Sequence, residues 1–214
     1  MPAFFRAICV RSRSGRVTAS PICTLFIALI WFAAPAIAAE KATEESIRAF
    51  VEKVNEASVQ FFSSGSEDEA RERARALLAW AFDIPAMAEE ALGRAGDTAT
   101  ADERREFLDA FQEKVITAYL RRMRPEGATL TFVGHRPPSD GSYLAASRRT
   151  VPGKKDQIWI WVMRPDGESW RITDLLLNGR SAVGSERYEY AEILRNNNDD
   201  MDALIAFMRK RSGR

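Results

Sequence analysis

The sequence predicts an α+β protein, with one curved antiparallel sheet of four strands and helices stacked on one face. Three observations predict it. Apolar residues recur at helical spacing from Thr43 to about Met123, the period shortens to two between Thr129 and Leu177, and helical spacing returns from Glu186 to Arg211. Helices, then a run of strands, then helices again is an α+β order, not an alternation of parallel βαβ units.

The sheet is anchored by the stretch from Gln157 to Gly179. Ile158 to Met163 is apolar at every position, rich in β-branched and aromatic side chains, and too short between its flanks for a buried helix. Pro165, Asp166 and Gly167 supply a turn, and a second strand from Trp170 to Leu177 ends at Asn178-Gly179. Two further strands are expected at Thr129 to His135 and Tyr143 to Val151. Pro137 to Gly141 and Pro152-Gly153-Lys154 serve as the connections.

In the first half, Ile47, Phe50, Val51, Val54, Ala57, Ser58, Phe61 and Phe62 line one side of a helix from Thr43 to Phe62, with Thr43 or a neighbour as its cap. Ser63-Ser64-Gly65-Ser66 breaks it. A charged second helix runs from Glu67 to about Ala81, and Pro85 opens a short third that stops at Gly93. Thr100 and Glu103 have capping-box spacing, and the helix they start is the strongest in the chain. Its stripe is Phe107, Leu108, Phe111, Val115, Tyr119 and Leu120. Helices are expected again at Glu186 to Arg195 and Asp200 to Arg211.

The N-terminus reads as a secretory signal. Arg6, Arg11, Arg13 and Arg16 precede an apolar run from Ile22 to Ala34, and Ala36-Ile37-Ala38 offers a small-x-small cleavage site. The apolar run is shorter than the roughly 20 residues of a spanning helix. This divides the chain into a signal at 1–38 and one domain at 39–214. Cleavage would remove four arginines and no acidic residue, moving the net charge from +1 to −3. A mildly acidic surface argues against a nucleic-acid partner. Cys9 and Cys23, the only cysteines, would leave with the signal, so neither a disulfide nor a thiolate metal site is expected.

The chemical inventory of the domain is thin. The single histidine, His135, sits beside Arg136 and Pro137 with no nucleophile near it in sequence. No Gly-rich loop with a lysine is present to cradle a nucleotide phosphate. Gly179 to Gly184 has its second glycine one place too late for a nucleophile elbow. Glu67-Asp68-Glu69 reads as a solvated helix start that favours the dipole. Asp174, the one carboxylate inside an apolar strand, reads either as a partner for an arginine or a backbone N–H, or as a general base in a cavity. No catalytic residue, metal or cofactor is expected. The surplus lies in large apolar side chains, which either fill an ordinary core or wall a hollow.

Two blocks of residues resemble the MlaC family of periplasmic phospholipid carriers, also called toluene-tolerance proteins. The first is Phe82-Asp83-Ile84-Pro85-Ala86-Met87-Ala88, Ala91-Leu92-Gly93, Ala99-Thr100, Glu106 to Phe111, and Tyr119. The second is Trp170 to Leu175, Asn178-Gly179-Arg180-Ser181, Tyr188, Ile193 and Met201 to Ile205. The resemblance implies an NTF2-like sheet wrapped by helices around an apolar pocket for acyl chains. It also implies an inner-membrane ABC transporter complex and an outer-membrane lipoprotein complex as partners, maintenance of outer-membrane lipid asymmetry, and a role without catalysis. One branch of the family is associated with hopanoid synthesis, so a polycyclic lipid is the alternative ligand. The chain is expected to act as a monomer.

The physical reason for such a carrier is the exposure cost of roughly 0.8 kcal/mol per CH₂, on the order of 20 kcal/mol for a two-chain lipid in water. The expected lipid-binding set is Phe107, Phe111, Val115 and Tyr119 from the long helix with Ile158, Ile160, Val162 and Ile172 from the sheet. Trp159, Trp161 and Met163 are the alternative face of the central strand. Two other readings stand beside this one: a small isomerase or hydrolase using Asp174 or Tyr119, and an interaction module with a solid core.

Overall fold

Five antiparallel strands, each hydrogen-bonded to its neighbour in sequence, form the sheet in a computed structural model that describes residues 34–61, 65–124, 127–139 and 141–213. They are β1 (Thr129–Ser139), β2 (Ser142–Thr150), β3 (Gln157–Asp166), β4 (Ser169–Leu177) and β5 (Arg180–Ser181). The expected count of four is corrected to five. Asn178 at φ 53° and Gly179 at φ 77° form a two-residue reversal that pairs Leu177 with Arg180, so the chain turns back after β4. Asn-Gly is suited to it because both central residues need positive φ. At the other hairpin, β3 runs on through Pro165 to Asp166, and the turn itself is Gly167-Glu168 with Gly167 at φ 59°. β1 likewise continues past His135 to pair Ser139 with Ser142, through two irregularities in register.

The helices are α1 (Ala34–Val59), α2 (Glu67–Ala81), α3 (Ile84–Leu92), α4 (Ala101–Met123), α5 (Ala182–Asn196) and α6 (Met201–Arg211). A short 3₁₀ turn, Gly93–Asp97, links α3 to α4 and has no counterpart in the sequence reading. Residues 1–33, which carry most of the expected signal, lie outside those described, and the helix of Ala36 to Ala38 is continuous with Thr43, so Thr43 is not a cap. Among the described residues no helix is long and apolar enough to cross a membrane.

Local chemistry accounts for the boundaries. Ser66 accepts the N–H of Glu69 at 3.3 Å and three acids fill the first turn of α2, where orphan N–H groups and the helix dipole favour negative charge. Asp83 accepts the N–H of Ala86 at 3.1 Å to start α3. The capping box of α4 is complete: Glu103 donates its N–H to Thr100 Oγ1 (3.2 Å), and Thr100 donates its N–H to the Glu103 carboxylate (2.7 Å). That backbone donor holds the Glu103 carboxyl below its ordinary value. Between α5 and α6, Asn198 and Asp199 take left-handed conformations before Asp200 caps α6.

The core lies between the sheet and the helices. α1 crosses β1 and β2, α4 packs on α2, α3 and α6, and α5 packs on α3. Strand burial shows which face is covered: Ala145, Ser147 and Arg149 on β2, Trp159, Trp161 and Met163 on β3, and Trp170, Ile172 and Leu175 on β4. One polar bridge spans this interface. Asn55 of α1 exchanges two hydrogen bonds with Ser147 at 3.1 Å, and Ser147 Oγ also accepts the Trp161 indole N–H at 2.9 Å. These buried polar atoms are paired with one another, which removes most of the cost of burying them.

Candidate functional site

Because strand side chains alternate, the choice of face on β3 decides what can meet α4. The helix-covered side is Trp159, Trp161 and Met163, whereas Ile158, Ile160 and Val162 point the other way and Ile158 is 43% exposed. The expected grouping of Ile158, Ile160 and Val162 with the long helix is therefore corrected. The two tryptophans and Met163 occupy that position.

The remaining expected residues fall into two groups along α4. Phe107 and Phe111 stack with centroids 6.0 Å apart, and Tyr190 of α5 meets Phe107 edge-on at 5.7 Å. Val115 is half-buried against the same core. Further along, Tyr119 is ringed by Phe61 (5.8 Å), Phe82 (5.8 Å) and Trp159 (6.1 Å). Trp161 closes the ring, 6.3 Å from Phe82 and 5.7 Å from Trp159. Ile172 is fully buried beneath Phe82, whose segment bridges to it: Asp83 donates its N–H to the Ile172 carbonyl at 2.8 Å.

This aromatic wall stands between two hollows. The larger, about 450 Å³, has Phe82 in its lining, together with Leu78, Ile84, Gln112 and three charged side chains of the β3–β4 hairpin. Its charges are compensated: Arg164 pairs with Asp83, and Arg171 pairs with Asp166 at 2.8 Å and donates to the Ala79 carbonyl at 2.7 Å. The smaller, about 230 Å³, has Trp159 in its lining and opens at the other end of the sheet among Arg121, Arg122, Arg149, Gln157, Leu177 and Asn178. Register explains the lower lining. Arg149 pairs with Gln157 and Trp159 with Leu177, so all four share the helix-covered face, and the last turn of α4 closes over them.

Tyr119 is both a wall residue and a buried phenol. Ser58 Oγ donates to the Val54 carbonyl at 2.6 Å, so the 2.8 Å contact between Ser58 and Tyr119 has the phenol as donor. Burial pushes the Tyr119 phenol far above its ordinary value of 10.0. Burial and the nearby Glu186 do the same to Tyr190. A raised acid stabilises the fold fully below the unfolded value, and the contribution is lost as pH rises past it. Stability should therefore fall above about pH 10 with a slope approaching 1.4 kcal/mol per pH unit for each buried phenol. Tyr119→Phe, which keeps the ring, should remove one of the two contributions. Urea unfolding across the alkaline range reads this directly, and an unchanged slope in the variant would refute it.

Asp174 holds main chain. Its Oδ1 accepts the N–H of Leu175 at 2.7 Å and of Val183 at 3.0 Å, fixing the start of α5 to the end of β4. His135 lies within β1. No group of three or more potential metal ligands occurs among the described residues. The residues that sequence reasoning missed are Arg121, Arg122, Arg149 and Lys114. Lys114 could have been found, since it lies three residues after Phe111 on the stripe. Arg149 is far in sequence from the adjacent Arg121 and Arg122, and only the fold brings it to them.

The profile of the MlaC protein family matches residues 44–210. No curated protein matches the chain. Among solved structures, a phospholipid-binding protein from Ralstonia solanacearum, determined in complex with a phospholipid, has a similar fold. It aligns with a TM-score of 0.65 at 15% identity, covering 78% of this chain and 96% of that one. At that identity the likeness speaks for the fold alone, whereas the profile spans most of the sequence. The chain therefore belongs to the MlaC family.

Proposed function

We propose that this protein is a periplasmic phospholipid carrier. Its helices and NTF2-like sheet take up acyl chains and shuttle lipid between an inner-membrane ABC transporter complex and an outer-membrane lipoprotein complex, so maintaining outer-membrane lipid asymmetry. The observation that carries the reading is the aromatic wall with a hollow on either side, in a chain of the MlaC family. Taken together the two hollows fall within the range of about 300–1,000 Å³ of small-molecule pockets. Rotation of Phe82, Tyr119 and Trp159 would join them into one passage along the sheet. We place Phe107, Phe111, Val115, Tyr119 and Ile172 along that passage with Trp159, Trp161 and Met163. The carrier needs only to hide methylenes from water, and the carboxylates beside the larger hollow, Asp83 and Asp166, are already held in ion pairs.

Solvent extraction of the protein purified from its native envelope, followed by mass spectrometry, tests the reading. A glycerophospholipid in near one-to-one ratio is the expected result. Recovery of no lipid would defeat the proposal, and a polycyclic lipid in its place would move the ligand class to the hopanoid alternative.

A further inference from the structure

We infer that Arg121, Arg122 and Arg149 form an anion subsite at the mouth of the smaller hollow, one that takes a phosphate-bearing group. The inference rests on the carrier reading for the source of that group, a lipid headgroup, and the same chemistry would take free phosphate.

Three independent features carry it. The first is charge. In the larger hollow each arginine has a carboxylate, yet none of these three has one within ion-pair distance among the described residues. The crowding is felt at Arg122: burial first, then Arg121, and to a smaller degree Arg149, push its guanidinium below its ordinary value. Glu186, the carboxylate that acts on Arg122 in the opposite sense, is already engaged by Lys114. The second feature is an orphan donor. Arg149 is only 7% exposed, its Nη groups donate to Gln157 Oε1 (3.3 Å) and to the Arg122 carbonyl, and its Nε–H is buried with no acceptor. The third is rigidity. Trp159 holds the Arg149 guanidinium 5.8 Å above its ring, and the strand register fixes the base of the side chain beside Gln157.

A plainer account treats the arginines as compensation for the carbonyl end of α4. It explains the bonds from Arg149 to the Arg122 carbonyl and from Arg122 to the Ala118 carbonyl at 2.9 Å. It does not explain a buried Nε–H without a partner, nor three cations gathered around one hollow. A phosphate in that hollow supplies the missing charge and, after a small turn of the Arg149 guanidinium, an acceptor for its Nε–H, and guanidinium donors suit it geometrically. Because the three cations face no protein carboxylate, the subsite favours the group with the greatest negative charge. The expected order is phosphatidic acid, then phosphatidylglycerol, then zwitterionic phosphatidylcholine.

The purified protein is mixed with vesicles of each of these three lipids, separated, and its bound lipid quantified, while inorganic phosphate is titrated calorimetrically in parallel. Wild type should prefer phosphatidic acid over phosphatidylcholine by about tenfold, and Arg149→Gln should bring the ratio close to one. Arg121→Gln, at an exposed position that leaves the core intact, should lower the ratio several-fold, and Arg149→Lys should restore part of it. Phosphate binding that is lost in the variants, without any lipid preference, supports the subsite and assigns it to free phosphate. Ratios that are equal in wild type and variants, together with no phosphate binding, overturn the subsite and leave the carrier reading standing. Uptake from no vesicle with phosphate binding intact defeats the carrier reading and keeps the subsite.

Discussion

Trp161→Ala should lower the free energy of unfolding by about 3–5 kcal/mol, the largest single loss expected in this chain. The side chain is fully buried, and its ring meets Phe82 and Trp159. Its indole N–H donates to Ser147 Oγ, which is also tied to Asn55 on the helix above. Truncation removes the apolar area and leaves a void between α1 and the sheet that the surrounding rings can fill only in part. The hydrogen bond is the smaller share, because Ser147 keeps Asn55 as partner. Trp161→Phe should accordingly cost less than half as much. Chemical denaturation of both variants checks the ratio, and equal losses would show that the bond, not the volume, dominates.

Lys114→Met should cost about 2–3 kcal/mol. Lys114 is 8% exposed, and its ammonium donates to Glu186, to Glu189 at 3.4 Å and to the Tyr190 hydroxyl at 3.1 Å, with the Tyr190 ring 4.6 Å away. Breaking a fully buried pair from one side costs about 3–5 kcal/mol because the partner is stranded. Here the two glutamates keep about a third of their side-chain surface in water, which moderates the penalty. They lie three residues apart on α5, so without the lysine they repel each other, and the Tyr190 hydroxyl loses a donor. Glu186→Gln in the Lys114→Met background should recover part of the loss, because Glu189 keeps Arg211 at 3.1 Å while Glu186 has no other ion-pair partner among the described residues. A double variant no more stable than Lys114→Met alone would refute the repulsion argument.

Much of the architecture was legible because local chemistry and tertiary need agree. Thr100 with Glu103, Pro85 inside the start of α3, and Gly167 in the β3–β4 hairpin each do in the fold what their spacing suggests. The fifth strand was missed although Asn178-Gly179 between Leu177 and Arg180 is a hairpin signal, because β5 is only two residues long. The site was less so, and the reason lies in β3. With every position from Ile158 to Met163 apolar, alternation carries no information about which side meets the helices. The wide, flat tryptophans took the buried side, leaving Ile158 exposed and Ile160 half-buried on the other. Arg149 was obscure for another reason. An arginine near a strand end reads as solvent-facing until the helix that covers it is known.

The order of the strands has a consequence for assembly of the molecule. Since every strand pairs with the next in sequence, the sheet can zip up hairpin by hairpin with short loops to close. A polypeptide exported unfolded, as the expected signal at 1–38 implies, gains from a topology that needs no distant segment before the first ladder forms. Long-range fasteners such as Asn55 on Ser147 and Lys114 on α5 would then lock last.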